Sequence, residues 1–511
     1  MFKRHSFSVI IMILALSMGS FNDSFLADSW NKKPNTTETS LNYIEHAAIS
    51  ITHDDNFTDL GFSGTGTSGD PFLISNLNIT TTATRGIGIY DTTKHFVITS
   101  CYIVANGYGI EIDNAATGTV TILNCTIMSC TWDGMYITNS PSVSIINSTI
   151  LECEAEGIKF NSCPGSQLTN NTVQNNGDNG ISLWHSSDST LTDNTLTNDA
   201  VFIYDISVEN YSNFTMIGNL VNEKAIGYFL DTDDLIISNP IYGQIFVIFC
   251  QRITIYNQVV SNGAIGIYLY YSDYAHIYNN TCNNNAGSGI SLDYSDHALV
   301  ENNTCNNNYN SIDLDISTGS TIYNNTCSGN FRSIRLISGD SGEILNNTVY
   351  DSGYIGYHIA LSDDVIVANN TCIGSVNYGI YFQHTTSCII SYNQIGDCDS
   401  YGIYLDSNSL NNIIHHNNFT YNNLGGISQG YDDGSNNVFY DIVSLSGNWW
   451  SNWNGSATYP IAGSAGNNDP YPLGMPMVPE FSENLFIILM LSTTGLVVIY
   501  MLNSFKRKLR K

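Results

Sequence analysis

A phrase that returns every 22 to 25 residues constrains this 511-residue chain more than any other feature. Asn-Asn-Thr begins at Asn170, Asn279, Asn302, Asn324, Asn346 and Asn369, and looser copies extend the series from Asn76 to Asn418. Such repeats are typical of solenoids, in which each unit packs mainly on its neighbours. We therefore expect a stack of similar coils. The short steps from Asn219 to Asn239 to Asn257 predict tighter turns there.

A second phrase, Gly-Ile-x-Leu or a close variant, keeps register with the first. Examples are Gly109–Ile112, Gly180–Leu183, Gly289–Leu292 and Gly402–Leu405. Apolar and polar residues alternate in it, which is the period of a strand with one buried face. No sustained helical period interrupts the body. The sequence thus predicts an all-β, single-stranded right-handed parallel β-helix of about 15–16 coils, stacked about 4.8 Å apart.

The repeated asparagines and cysteines each allow two interpretations. Asparagine tolerates the left-handed backbone of a sharp corner and hydrogen-bonds along a stack, whereas Asn-x-Ser/Thr is also the acceptor sequence for N-glycosylation. A buried corner favours the ladder. Cys282, Cys305 and Cys327 share one coil position, so disulfides between neighbouring coils and a column of buried thiols are both open.

The two ends of the chain resemble targeting segments. Lys3 and Arg4 precede an apolar run, as in a secretory signal, and the uncharged run at 485–502 is long enough to span a bilayer. The basic residues behind it predict a cytoplasmic tail and a body on the extracellular face of the membrane. The predicted divisions are a signal peptide (1–27), an N-terminal cap (28–75), the β-helix (76–447), a C-terminal cap (448–474), a stalk (475–484), a transmembrane helix (485–502) and a cytoplasmic tail (503–511).

The charge balance excludes one class of partner. The net charge is −29, from 45 acidic and 16 basic residues, and most of the basic residues lie near the two ends. Such a surface repels phosphate backbones, so nucleic-acid binding is not expected. It suits cations, cationic partners and neutral glycans, or it simply keeps an extracellular protein soluble.

Several capping phrases resemble those of a known family. Gly64-Thr65-Gly66, Asp70–Ile74 and Asp91–Ile98 resemble the opening of NosD-like surface proteins, and Asn448–Ser451 with Asp469–Leu473 resembles their ending. The resemblance implies a β-helix over about residues 44–474. It implies the broad functions of carbohydrate-binding proteins, sugar hydrolases and a periplasmic protein linked to copper insertion into nitrous oxide reductase. Pro479-Glu480-Phe481 before the apolar run resembles a PEF-type sorting signal.

The x positions of Gly-Ile-x-Leu-x should face solvent on one sheet, and they supply the candidate ligand-binding residues. Aromatic and acidic side chains recur there, which is the composition that binds sugars. The candidate residues are Tyr136, Trp184, Tyr268, Tyr270, His358, Tyr381, Tyr404 and Asp406. The histidines are scattered and His415-His416 should point to opposite faces of a strand, so copper is not supported.

One acidic cluster on this face has three alternative interpretations. Asp293, Asp313 and Asp315 fall on adjacent coils, with Arg335 on the next. Stacked carboxylates repel, so one should be protonated, paired with Arg335 or bound to Ca²⁺, and no other cofactor is implied. The cluster is therefore a solvated face braced by Arg335, a catalytic site for a hydrolase or lyase, or a calcium site.

Three functions remain open from the sequence alone. The first is a cell-surface β-helix that binds a polysaccharide or other surface glycan through the aromatic and acidic face. The second is a polysaccharide hydrolase or lyase that uses Asp293, Asp313 and Asp315. The third is a structural or adhesive surface stalk. The residues do not decide whether the protein is an enzyme, although the absence of a complete catalytic set in the sequence favours binding.

Overall fold

The computed structural model describes residues 43–205 and 213–477. The chain is almost entirely β and forms a parallel β-solenoid of about 15 turns, as the repeat predicted. No helix in these two ranges is long and apolar enough to cross a membrane. The predicted signal peptide, transmembrane helix and tail, with most of the stalk, lie outside the described residues.

The coils form two successive stacks, of which the first contains sheets I and II and the first part of sheet III. Sheet I holds the Gly-Ile strands: β2 (Ile49–Ile51), β5 (Arg85–Tyr90), β8 (Tyr108–Asp113), β11 (Met135–Thr138), β14 (Ile158–Asn161), β17 (Ile181–Trp184) and β20 (Val201–Tyr204). Sheet II holds β3 (Phe72–Ser75), β6 (Phe96–Thr99), β9 (Val120–Leu123), β12 (Ser144–Ile146), β15 (Gln167–Thr169), β18 (Thr190–Thr192) and β21 (Thr215–Ile217). Sheet III begins with β1 (Ile44–Glu45), β4 (Leu77–Thr81), β7 (Tyr102–Ala105), β10 (Thr126–Met128), β13 (Thr149–Leu151), β16 (Thr172–Gln174), β19 (Thr195–Thr197) and β22 (Leu220–Val221).

In the second stack the Gly-Ile strands belong to sheet III. They are β23 (Lys224–Leu230), β25 (Tyr242–Ile248), β27 (Ile267–Tyr270), β29 (Ser288–Asp293), β31 (Asn310–Asp315), β34 (Arg332–Ile337), β37 (Ile355–Ala360), β40 (Tyr378–Gln383), β43 (Ile403–Leu405) and β46 (Gly430–Asp432). Sheet IV holds β24 (Ile236–Ile237), β26 (Thr254–Tyr256), β28 (His276–Tyr278), β30 (Leu299–Glu301), β32 (Thr321–Tyr323), β35 (Glu343–Leu345), β38 (Ile366–Ala368), β41 (Ile389–Ser391) and β44 (Ile413–His415). Sheet V holds β33 (Thr326–Ser328), β36 (Thr348–Tyr350), β39 (Thr371–Ile373), β42 (Gln394–Gly396), β45 (Asn418–Thr420) and β47 (Trp449–Trp450).

The two asparagines of the Asn-Asn-Thr phrase have different structural roles, one at a corner and one in a buried ladder. The first residue, as at Asn302, makes the left-handed corner with a φ of 56°. The second forms the buried ladder: Asn303 Nδ2 donates to Asn325 Oδ1 at 3.0 Å and to the Ile277 carbonyl at 2.9 Å. Asn303 Oδ1 in turn accepts from Asn280 Nδ2 at 3.0 Å, so both the donor and the acceptor of this amide are satisfied inside the stack, as a buried polar group requires.

The two stacks meet where the sequence repeat shortens. Residues 222 and 223 make a turn, and β22 pairs with β23 in antiparallel fashion, whereas the coil strands on either side pair in parallel. Sheet III therefore runs through both stacks, but the chain crosses it in the opposite direction after this turn. The sequence located this irregular step but did not predict the reversal.

Sheet III separates two hydrophobic cores at the start of the second stack. On β25, Ile245 and Val247 belong to the core of the second stack, whereas Phe246 and Ile248 pack with the core of the first. Gln244 hydrogen-bonds to the outer edge of β20, the last strand of sheet I. Its side-chain amide accepts from the Val201 N–H at 3.0 Å and donates to the Val201 carbonyl at 2.7 Å. The outer face of the second stack thus closes the end of the first.

The ends of the stack and the cysteines complete the fold. β1, β2 and β3 already pair with β4, β5 and β6, so the ladders start before residue 76. At the other end Trp450 stacks between Phe419 (4.4 Å) and Tyr459 (4.3 Å). The remaining elements are the short helix α1 (Asn56–Asp59) and the antiparallel pair β48 (Tyr459–Pro460) and β49 (Asn468–Asp469). All twelve cysteines are free and buried.

Candidate functional site

The predicted stripe of outward-facing residues is divided between two sheets. Tyr136 and Trp184 lie on sheet I of the first stack, whereas Tyr268, His358 and Tyr404 lie on sheet III of the second. The prediction of one continuous face was wrong because it carried one register through residues 222–223, where the chain reverses. The two parts meet only at the junction of the stacks.

Tyr268 and Tyr270 do not face solvent. Their exposed fractions are 6% and 7%, and both pack in the core cluster of the first stack. They occupy the predicted strand position, but the end of the first stack covers them. The expectation that they form an open sugar-binding surface is therefore corrected, because they close a hydrophobic core instead.

The acidic cluster does assemble on adjacent strands of sheet III. Asp293 is in register with Asp315, and Asp313 is in register with Arg335. One terminal nitrogen of Arg335 donates to both oxygens of Asp313, at 2.8 and 3.1 Å, and Asn310 Nδ2 donates to the same carboxylate at 2.9 Å. Pairing with Arg335, one of the expected solutions for stacked carboxylates, is thus present.

The other two carboxylates have raised pKa values. Burial, followed by the charges of Asp315 and Asp313, raises the pKa of Asp293 to about 8, although the Tyr268 hydroxyl donates to it at 2.9 Å. Burial also raises the pKa of Asp315 to about 6, against the opposing charge of Arg335. Burial therefore keeps a proton on Asp293 at neutral pH, beside the ion pair of Arg335 and Asp313.

His358 continues the column beyond Arg335. Burial, with the charge of Arg335 next, lowers its pKa to about 3, so the imidazole is neutral at physiological pH. Nε2 lies 3.1 Å from Gln383 Oε1, and buried Nδ1 has no hydrogen-bond partner among the described residues. The ring stacks on Tyr381 with centroids 5.0 Å apart.

A column of half-buried tyrosines follows on the next coils. Tyr381, Tyr404 and Tyr431 are in register, and Tyr404 stacks on Tyr431 with centroids 4.6 Å apart and planes 2° from parallel. Tyr378 packs against the same column, 4.6 Å from Tyr404. Because the Tyr404 and Tyr431 rings stack on each other, their edges rather than their faces are turned toward solvent.

Sequence reasoning missed Tyr431 and Tyr378. Tyr431 lies in Gly-Tyr-Asp, which lacks the isoleucine of the repeated phrase, and a longer loop separates it from the preceding coil. Tyr378 comes directly before a Gly-Ile phrase rather than at an x position. The tyrosines that precede successive phrases, Tyr378 and Tyr401, were a usable signal, because recurrence at the coil period predicts stacking.

Tyr204 lies between the first-stack and the second-stack residues of the predicted stripe. It lies on the last strand of sheet I with its ring 4.9 Å from that of Trp184. Burial and then the charge of Asp293 raise its pKa, so the end of the first stack lies against the acidic cluster of the second. On the second stack Tyr271 and Tyr294 stack beside this junction at 4.7 Å.

Two of the predicted binding residues, Asp406 and Tyr136, lie outside the tyrosine column of the second stack. Asp406 lies in a corner, where its carboxylate accepts hydrogen bonds from the His384 backbone N–H and the Ser409 hydroxyl at 3.0 and 2.8 Å. Tyr136 lies on the first stack and stacks on Tyr108 with centroids 5.1 Å apart. Neither residue is in the tyrosine column of the second stack.

The described residues offer no metal centre. No group of three or more His, Cys, Asp or Glu side chains within 43–205 and 213–477 could hold an ion, which leaves the calcium interpretation of the Asp293 cluster without support. The expectation that His415 and His416 diverge was wrong: their Nδ1 atoms lie 2.6 Å apart, because His416 occupies a left-handed corner with a φ of 56°. These two histidines are fewer than the three side chains that such a metal-binding group needs.

The chain matches two protein-family models. The family model described as right-handed beta helix region matches residues 47–221 and 309–441. The chain belongs to this family. A second model, described as periplasmic copper-binding protein (NosD), matches residues 233–370, so the protein is a NosD-like parallel β-helix. No curated protein matches the chain.

Several solved structures are similar to the chain at low identity. A mutant of the periplasmic alginate epimerase AlgG is 10% identical, with 73% of this chain and 85% of that chain covered at a TM-score of 0.36. PfbA, a surface adhesin of Streptococcus pneumoniae, is 10% identical, with coverages of 65% and 81% at 0.29. A mutant DFA-IIIase from Arthrobacter chlorophenolicus A6 is 11% identical, with coverages of 67% and 84% at 0.31. At these TM-scores the likeness carries no argument about function.

Proposed function

We propose that this NosD-like β-helix binds a neutral glycan along the outer face of sheet III in the second stack, on the extracellular side of a membrane to which residues 485–502 tether it. The tyrosine column carries the proposal. The hydroxyls of Tyr381 and Tyr404 make no hydrogen bond to another described residue. Stacking holds these phenols in place, so they are preorganised donors and acceptors for sugar hydroxyls.

Charge narrows the class of ligand. Asp293, Asp313 and Asp315 lie at one end of the column, and the chain as a whole carries −29. The net negative charge of the chain would repel an anionic polysaccharide, whereas a neutral glycan would meet hydroxyl, amide and carboxylate groups on this face. A polymer is favoured over a small sugar because the polar row extends over successive coils.

The test is retention of the full chain, in detergent, on immobilised neutral and acidic polysaccharides. Tyr381→Phe with Tyr404→Phe removes two hydroxyls and keeps the stacked rings, so retention should fall about tenfold or more, since two hydrogen bonds contribute about 1–3 kcal/mol. Tyr256→Phe with Tyr278→Phe is the matched control, because these tyrosines also stack, at 4.9 Å, on sheet IV. Equal retention of both variants would contradict the proposal.

A second candidate, glycan cleavage, is favoured by the protonation pattern of the cluster. Asp293 keeps its proton to about pH 8, while Asp315 on the adjacent strand ionises at about 6. Glycosidases use such a pair, with carboxyl groups about 5–5.5 Å apart in retaining enzymes, and adjacent coils stack about 4.8 Å apart. New chain ends in the same experiment, abolished by Asp293→Asn, would establish this activity. Absence of both retention and product would leave a structural or adhesive role.

A further inference from the structure

The most exposed apolar side chains of the described residues are concentrated at one end of the second stack. Val443 is 88% exposed, Leu424 and Ile427 are each 81% exposed, and Met475 is 73% exposed. Tyr421, Ile442 and Leu445 are also exposed there. Single exposed apolar residues are ordinary on a protein surface, but a concentration of them marks a contact with a membrane or a partner.

These residues lie in three segments around one short strand pair. The loop 421–429 follows β45, the loop 442–448 precedes β47, and β45 pairs with β47. Segment 471–477 runs alongside: the Leu473 N–H donates to Asn448 O at 2.9 Å. Because β45 and β47 are parallel, the loop 421–429 and the loop 442–448 lie at opposite ends of this pair, which is about 10 Å long.

Both loops have internal bracing that presents their apolar tips. The Asp441 carboxylate accepts from the Val443 N–H at 2.9 Å and from the Ser444 hydroxyl at 2.6 Å. In the other loop, Asn423 Nδ2 donates to the Ser428 carbonyl at 2.9 Å. The exposure of Val443 and Leu424 is therefore a feature of the folded loops.

The three segments carry no charge in a strongly acidic chain. Residues 421–429, 442–448 and 471–477 contain no Asp, Glu, Lys or Arg, although the sequence has 45 acidic residues. The nearest carboxylate, that of Asp441, lies at the base of the loop 442–448 and bonds to the loop from there. Uncharged loops with apolar tips can enter the interface of a bilayer without burying an ion, which would be costly. They offer little to a charged protein partner.

The proposed tether would bring a membrane to this end of the stack. Met477 is held on β45, since its N–H donates to Asn418 Oδ1 at 2.7 Å and its carbonyl accepts from Asn418 Nδ2 at 2.6 Å. Residues 478–484 then lead to the uncharged apolar run 485–502, and they can reach at most about 25 Å when fully extended. A bilayer that held this run would therefore lie close to the exposed loops.

We propose that the loops 421–429 and 442–448 form a membrane-docking surface that inserts Leu424, Ile427 and Val443 into the outer face of the lipid bilayer. This inference rests on the tether proposed above. Docking would orient the second stack with its last coils at the lipid and would leave the tyrosine column reachable from the side. The covering layer is lipid, because the chain itself brings that surface within reach.

The test uses the full chain in phosphatidylcholine vesicles, with a protease site inserted within 478–484. After cleavage the body should remain on floating vesicles, and Leu424→Ser with Ile427→Ser and Val443→Ser should release it at least tenfold more completely. The control exchanges equally apolar exposed residues elsewhere: Ile44→Ser with Ile236→Ser and Val376→Ser should stay bound. Circular dichroism and the thermal midpoint establish that both triple variants are folded.

Each other outcome counts against the proposal in a different way. Release of the wild-type body on cleavage, with the uncleaved chain resistant to alkaline extraction, would overturn docking and keep the tether. Extraction of the uncleaved chain at alkaline pH would overturn the tether and docking together. A released body that dimerises, and loses its dimer in the loop variant, would assign the surface to a second copy of the chain.

Discussion

The two stacks use the same Gly-Ile-x-Leu phrase, but its outward positions have different surroundings in each. In the first stack the x residues of sheet I, such as Tyr136 and Trp184, flank an outer surface. In the first coils of the second stack, Phe246, Tyr268 and Tyr270 are buried against the core of the first. The phrase thus determines which residues point inward, whereas the join between stacks determines which outward residues remain accessible.

The largest expected effect is at the covered part of this face. Tyr268→Ala should lower the free energy of unfolding by about 3–5 kcal/mol, the usual cost of truncating a buried aromatic residue. Tyr404→Ala, at the corresponding position on the last strand but one of the same sheet, is half-buried and should cost about 1 kcal/mol or less. Equilibrium denaturation of both variants gives the difference. Equal losses would mean that Tyr268 does not close a core.

A comparable effect is expected from the buried ion pair. Arg335→Met leaves the Asp313 carboxylate without its cation, and both side chains are nearly buried, so the loss should be about 3 kcal/mol. Adding Asp313→Asn to the Arg335→Met variant should recover most of this loss, because the unpaired buried carboxylate is then removed. If the double variant is as unstable as Arg335→Met alone, the pair is not the cause.

A smaller effect is expected at the edge of sheet I. Gln244→Leu removes both side-chain bonds to Val201 and leaves a buried N–H and carbonyl unsatisfied, at a cost of about 2 kcal/mol. The Val201 amide should then exchange with deuterium faster than the amides of β14. Unchanged exchange at Val201 would show that the second stack does not protect this edge.

The last expected effect is a pH dependence at the junction. The folded-state pKa of Asp293 is about 8, above its ordinary value of 3.8, so the folded chain keeps this proton when the unfolded chain has lost it. Unfolding free energy should therefore decrease as pH rises from 4 to 8. Asp293→Asn should weaken that decrease, as measured by thermal midpoints across this range. A parallel decrease in the variant would contradict the raised pKa.

The sequence was sufficient for the coils and insufficient for the join. Period and alternation predicted the inward residues because each coil repeats the same local packing. They also predicted that Asp293, Asp313 and Arg335 lie on adjacent coils, since the stacking of coils fixes that distance. The burial of Tyr268 depends on the end of the first stack, which is distant in sequence. The closeness of His415 and His416 depends on one left-handed residue.

Hydroxyl-radical footprinting tests the central claim most directly, because it reports which side chains a bound glycan covers. The full chain would be oxidised with and without a retained polysaccharide. We predict that Tyr381 and Tyr404 are protected, while Tyr136 on the first stack and Tyr278 on sheet IV react equally in both states. Protection of Tyr136 with Tyr381 and Tyr404 unchanged would place the ligand on the first stack and contradict the account.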